Sequence, residues 1–219
     1  MVYEYSPPPH AGLDVLYQDG SLIVLNKPSG LLSVPGRGEA HHDSLAVRVQ
    51  QAFPQALLVH RLDMPTSGLM LMALTTEAQS LMGRLFQQRK VEKRYVAVVA
   101  GRPEPVRGEV DLPLITDWPN RPRQKVDHEA GKPALTRYQV LGQDAGLQAS
   151  RVLLEPHTGR THQLRVHMRE IGHPILGDEL YAPVQWRHAA PRLLLHAEYL
   201  AFAHPITGEP LQIECPADF

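Results

Sequence analysis

Apolar residues fall in short alternating or continuous stretches over most of the chain and take up helical spacing in only a few places. Leu13 to Tyr17 and Leu22 to Leu25 flank Asp19-Gly20, a tight-turn dipeptide, and predict a hairpin. Asn26 to Gly30 and Pro35 to Gly38 read as loop, after which Asp43 or Ser44 caps a short helix running to about Ala52. Leu57 to Leu62 and Gly68 to Leu74 predict strands, and the intervening Asp63-Met64-Pro65-Thr66-Ser67 places Asp63 at a strand end. Thr76-x-x-Gln79 has the form of a capping box, and Ala78, Leu81, Met82, Leu85 and Phe86 recur at helical spacing. Strands are predicted again at Tyr95 to Val99, Leu135 to Leu141, Arg151 to Leu154, Leu193 to Phe202 and Leu211 to Ile213, with a short helix around Leu164, Met168 and Ile171. The Pro- and Gly-rich stretch from Gly101 to Pro133 reads as an excursion from the core. Many strands with few helices predict an α+β domain built on a largely antiparallel sheet.

The chain has 219 residues, 43% hydrophobic and 21% charged, ordinary values for a globular domain with a substantial core. Its longest apolar run, Leu69 to Leu74, is far below the roughly 18 residues of a membrane helix, and the first residues lack the basic region of a signal peptide. The expectation is therefore a soluble, cytoplasmic protein with no membrane partner. With no heptad pattern, a monomer is expected. Cys215 is the only cysteine, which excludes an intramolecular disulfide, a Cys-x-x-Cys redox pair and a thiolate zinc cage. The net charge of −1 conceals a division. From Arg84 to Arg169 there are 16 Lys and Arg against 9 Asp and Glu, while the remainder carries 6 against 14. Such a basic middle suits a surface that follows a polyanion, although a solvated basic face would look the same.

Phosphate-binding glycine loops, a Gly-x-Ser-x-Gly elbow and His-Glu-x-x-His are all absent. His157, His162 and His167 recur every five residues, a spacing that does not align side chains on a helix, so no metal site is expected and polar or phosphate-facing roles are. The segment from His60 to Gly68 is the most informative. A carboxylate where a strand opens into a sharp turn can face a cleft on rigid backbone, although a turn Asp accepting backbone hydrogen bonds fits as well.

That segment, His60-Arg61-Leu62-Asp63-Met64-Pro65-Thr66-Ser67-Gly68, closely resembles the catalytic motif of the RluA-type RNA pseudouridine synthases. The resemblance continues in family order through Asn26-Lys27-Pro28-Ser29-Gly30-Leu31, Lys93-Arg94-Tyr95, Gly159 to His167, Pro174-Ile175-Leu176-Gly177-Asp178 and Leu193 to Ala197. Asp111 to Pro122 and the final Pro216-Ala217-Asp218-Phe219 resemble the dual-specificity branch. Its members modify 23S ribosomal RNA and the anticodon stem-loop of certain tRNAs. The resemblance implies one catalytic domain over residues 1 to 219, with two continuous subdomains sharing an extended mixed sheet, flanking helices and loops, and a central active-site cleft. About a dozen residues precede the first predicted strand, so no separate S4 domain is expected and RNA binding falls to the catalytic domain.

The resemblance also implies the chemistry. Pseudouridine synthesis breaks the N1–C1′ bond of uridine and rejoins the uracil through C5, without a cofactor. Asp63 is the implied catalytic group, either attacking covalently or promoting glycal formation by removing a sugar proton. It must be ionised, and Arg165 is the implied ion-pair partner, with a phosphate clamp as the other reading. Tyr95 is implied to stack on the uracil and help remove the C5 proton, and Leu164 to wall the base. The target base must be flipped out, and Arg61 is a candidate to fill the space it leaves. His60, Lys93, Arg94, Arg160 and His162 are candidate RNA contacts, as are Arg121, Arg123 and Lys125 in the excursion with Trp118. Two rival classes are a noncatalytic RNA-binding module, which would survive loss of Asp63, and a nucleoside hydrolase, which normally needs paired carboxylates or a metal.

Overall fold

The structure is a computed structural model describing residues 5–144, 146 and 148–219. It begins with the predicted hairpin. Asp19 Oδ1 accepts from the Ser21 and Leu22 amides at 2.7 and 2.8 Å, so β1 (Val15–Gln18) turns tightly into β2 (Leu22–Lys27). Ser44 caps α1 (Leu45–Ala52) through the Val47 amide. The chain continues through β3 (Leu57–Leu58), β4 (Ser67–Ala73) and α2 (Thr76–Gln87). Next come β5 (Glu92–Ala100), β6 (Arg107–Asp111), β7 (Leu114–Thr116) and β8 (Gln124–Val126). They are followed by β9 (Leu135–Asp144), β10 (Ala149–Pro156), α3 (Gln163–Glu170) and α4 (Val184–Arg187). The last elements are β11 (Leu195–Ala203) and β12 (Pro210–Glu214). Backbone contacts group the chain into two compact units. One comprises the residues up to Glu92 with His196–Asp218, the other Lys93–Leu195 with Phe219.

In the first unit β4 is the central strand, and all seven of its residues are buried. That is why its sequence is a continuous apolar run rather than an alternation. β2 pairs antiparallel along one edge, from Leu22 opposite Ala73 to Lys27 opposite Gly68. The other edge is shared by β3, opposite Ala73 and Met72, and by β11, which pairs in parallel at Ser67 and Gly68. β1 lies outside β2 and β12 outside β11.

Two details differ from the sequence expectation. The predicted strand from Leu57 to Leu62 stops at Leu58, because side chains then take over its hydrogen bonds. Ser33 Oγ donates to the Leu62 carbonyl at 2.6 Å and accepts its amide at 3.0 Å, while His60 Nε2 accepts from the Leu71 amide at 2.9 Å. Asp63 therefore sits within a loop, not at a strand end. The cap of α2 is Thr75, whose hydroxyl accepts from the Ala78 amide. Gln79 reaches the Leu58 carbonyl instead of closing a box.

The second unit is an antiparallel sheet in the order β5, β10, β9, β6. α3 lays Leu164 and Met168 on it, among Ala97, Val99, Val152 and Leu154. The stretch from Gly101 to Pro133 does not all leave the core. β6 returns as the edge strand beside β9, anchored by Val110, 3% exposed. The remainder folds as the β7–β8 hairpin, whose Leu114 and Val126 pack with Val166 of α3 and Tyr181. Each unit is thus a mostly antiparallel sheet with few helices, the α+β class the pattern predicts.

Candidate active site

Asp63 is half-buried and opens a turn closed by the Thr66 amide on its carbonyl at 3.1 Å. The turn is tied down by the segment following β2. Ser29 Oγ donates to the Pro65 carbonyl at 2.7 Å, and the Gly30 amide to that of Met64 at 3.0 Å. Lys27 is wholly buried, and its Nζ donates to the carbonyls of Pro28, Leu31 and Met64 at 2.9, 2.7 and 3.0 Å. These three acceptors match the three protons of an ammonium. Burial nevertheless pushes the ammonium down to about 7, and the negative charge of Asp63 pulls the other way. Asp63 is therefore held on fixed backbone, with the Lys27 amino group bonded into its loop.

The end of the same motif is fixed as tightly. Gly68 has φ +106°, and a Cβ there would lie 2.3 Å from the Ala197 carbonyl oxygen. Only glycine meets both conditions. Beside it Ser67 Oγ is 2.9 Å from His196 Nδ1, and His196 Nε2 is 2.8 Å from the Cys215 carbonyl. A carbonyl only accepts, so Nε2 carries the ring proton and the Ser67 hydroxyl donates to Nδ1. His60 is used within the fold: besides capping Leu71, its ring stacks on Phe86 with centroids 5.0 Å apart. Arg61 is exposed, and among the described residues no hydrogen bond or ion pair engages it.

In the second unit Tyr95, on β5, is half-buried and lies opposite Leu154 of β10. Lys93 is half-buried on the same strand, where desolvation holds its ammonium below the usual lysine range. Arg94 Nε lies 3.5 Å from Glu155. Leu164 and Arg165 lie in the first turn of α3, 7% and 2% exposed. The Arg165 guanidinium makes a two-pronged pair with Asp178, Nε to Oδ2 at 2.8 Å and Nη2 to Oδ1 at 2.7 Å. A guanidinium has five N–H donors, so this pairing orients Arg165 without exhausting it. Tyr181 lies against the guanidinium face at 5.1 Å. Arg160 is exposed and donates to the Pro133 carbonyl. Arg121, at the tip of the hairpin, stacks over Trp118 at 4.4 Å, while Lys125 is exposed and Arg123 half-buried.

The histidines correct the sequence expectation in part. His167 is fully buried, bonded through Nδ1 to Thr136 and through Nε2 to the Leu112 carbonyl, and so does not face phosphate. His162 is half-buried and has the left-handed conformation at φ +55°, with Nδ1 2.6 Å from the Tyr181 hydroxyl. Among the described residues no group of His, Cys, Asp and Glu could hold a metal ion, and no helix is long and apolar enough to cross a membrane. Sequence reasoning assigned no role to Lys27, Asp178 or Tyr181, although all three stand in or beside the quoted motifs.

Residues 21–170 match the RNA pseudouridylate synthase family. The chain is 56% identical over 215 residues to the dual-specificity RNA pseudouridine synthase RluA of Escherichia coli (strain K12), covering 98% of each chain. To the protein of that name in Pasteurella multocida (strain Pm70) it is 52% identical over the same share of each. Among solved structures, human RNA pseudouridylate synthase domain containing 1 is similar with a TM-score of 0.81 at 32% identity, over 98% of this chain and 87% of that one. Human RNA pseudouridylate synthase domain containing 4 gives 0.72 at 28% identity, over 93% and 88%.

Proposed function

This chain belongs to the RNA pseudouridylate synthase family, and on that premise we propose that it isomerises one uridine in 23S ribosomal RNA and one in the anticodon stem-loop of tRNA. The activity itself is that of an RNA pseudouridine synthase, an isomerase. Two RNA substrates are supported by the dual specificity named in its bacterial relatives. The basic stretch from Arg84 to Arg169 supports a polymeric anion as partner. The enzyme works as a cytoplasmic monomer without a membrane partner.

The chemistry balances within the nucleotide. The N1–C1′ bond breaks, the uracil turns, a C5–C1′ bond forms, the C5 proton leaves and N1 gains one. We assign Asp63 as nucleophile or base, Tyr95 as the ring that stacks on uracil and helps remove the C5 proton, and Arg165 as the guanidinium that favours the ionised acid. Leu164 walls the base and the exposed Arg61 fills the space left by the flipped nucleotide. Lys93, Arg94, Arg160, His162, Arg121, Arg123 and Lys125 contact the RNA, with Trp118 offering a ring to a loop base. His60 has a supporting role, through its bond to the Leu71 amide and its stacking on Phe86.

The observation that carries the assignment of Asp63 is its placement on a turn pinned by Ser29, Gly30 and Lys27. A reacting carboxylate needs such a fixed mount. The test is tritium release from uracil C5 in anticodon stem-loop and 23S fragments, with Asp63→Asn as control. Release by the native protein and none by Asp63→Asn is expected. Equal release by both would overturn the assignment, and release from one RNA alone would overturn dual specificity.

A further inference from the structure

Tyr181 is almost fully buried, 5% exposed, and every part of its side chain is engaged. Its ring lies against two guanidinium groups, Arg165 at 5.1 Å and Arg169 at 5.3 Å. Its hydroxyl accepts from the Gln124 amide of β8 at 2.8 Å and lies 2.6 Å from His162 Nδ1. Asp178 sets the ring in place, because the Oδ1 that pairs with Arg165 also accepts from the Leu180 and Tyr181 amides at 2.9 and 3.1 Å. One carboxylate thus holds the guanidinium and the aromatic face against it.

We infer that Tyr181 is a positioning residue that couples the β7–β8 hairpin to Arg165, so that RNA gripped by the hairpin and the setting of the Arg165 guanidinium depend on one side chain. The inference rests on the reading of the hairpin and Arg165 given above and adds the element that joins them. The pair with Asp178 takes Nε and Nη2 of Arg165, and the aromatic face of Tyr181 limits how far the guanidinium can tilt about that pair. The hydroxyl end acts on the hairpin instead. Gln124 opens β8 directly after the tip that carries Trp118, Arg121 and Arg123, so its amide bond fixes where the tip begins. His162, held in the left-handed conformation at the start of α3, completes the link between hairpin, helix and turn.

The two halves of the side chain separate by substitution. Tyr181→Phe keeps the ring on Arg165 and removes the hydroxyl. KM for the anticodon stem-loop should rise about fivefold, the size of one lost hydrogen bond, with kcat changed less than twofold. Tyr181→Leu also removes the aromatic face, and kcat should fall at least about tenfold in folded protein. Both are measured as C5 tritium release, with thermal melting to normalise for folded enzyme. A purely structural role would lower the melting temperature and the active fraction without moving KM. Unchanged KM in Tyr181→Phe while the native protein is active overturns the inference alone. No release by the native protein overturns the substrate reading and the inference with it. If Tyr181→Leu does not fold, Tyr181→Phe still decides.

Discussion

The buried ammonium of Lys27 holds the carbonyl of Met64, the residue immediately after Asp63, at 3.0 Å. A charge taken wholly out of water thus serves as a fastener for the loop that presents the acid, and its cost should appear in the dependence of stability on pH.

Burial depresses the Lys27 ammonium to about 7 in the folded chain, whereas in the unfolded chain it titrates near about 10.4. Between these values the unfolded state binds the extra proton, so the penalty is full below pH 7 and is relieved as pH rises. Unfolding free energy of the native protein should gain up to ~1.4 kcal/mol per pH unit over this window relative to Lys27→Met. Denaturant titrations at pH 6.5, 8 and 9.5 measure the difference. Parallel lines for the two proteins would refute it.

Gly68→Ala places a methyl group against the Ala197 carbonyl at a backbone angle that alanine resists. The substitution should cost about 2–4 kcal/mol of stability. Because the Asp63 turn closes at Thr66, two residues before this contact, specific activity of the folded fraction should fall too. Chemical denaturation with tritium-release assays checks both, and a variant as stable as the native protein would contradict the close approach.

Asp178→Asn leaves the Arg165 charge in a site where both residues are at most 2% exposed. Breaking a buried pair by neutralising one partner costs about 3–5 kcal/mol. The expected result is a lower melting temperature with kcat falling more than KM rises, since the guanidinium loses its alignment. Native kcat in Asp178→Asn would show that this pairing does not set Arg165.

Trp118 is 65% exposed beneath the Arg121 guanidinium. Trp118→Ala should weaken stem-loop binding by about 1–3 kcal/mol, the range for loss of one stacked base. Arg121→Ala should weaken it and flatten the dependence of affinity on salt, since one phosphate contact is lost. Melting temperatures should not move in either variant. Filter binding across a salt series distinguishes the two, and native affinity in both would remove the hairpin tip from the RNA contacts.

Much of the scaffold was legible because its signals are local. The alternation around Asp19-Gly20 and the apolar stripe of α2 depend on neighbours within a turn or two, and both elements formed where the pattern placed them. The strand expected through Leu62 failed for a long-range reason, since Ser33 supplies from 29 residues away the bonds that a partner strand would. The candidate acid stood out through family resemblance, because an Asp before a proline turn has an ordinary structural explanation. Lys27 carried no legible role, since its acceptors are backbone carbonyls, one of them 37 residues away. The link through Tyr181 was equally hidden. It depends on a left-handed histidine and on the turn at Asp178, neither of which periodicity reveals.

The parallel contact between β4 and β11 also imposes an order in time. Ser67 and His196 are bonded across 129 residues of chain, and Gly68 meets Ala197 only once β11 has emerged. A ribosome making this protein therefore releases the Asp63 segment long before the strand that braces it. The nascent chain can pin the Asp63 turn at once through Lys27, Ser29 and Gly30, but the Ser67–Gly68 end of the motif stays unbraced until β11 is made.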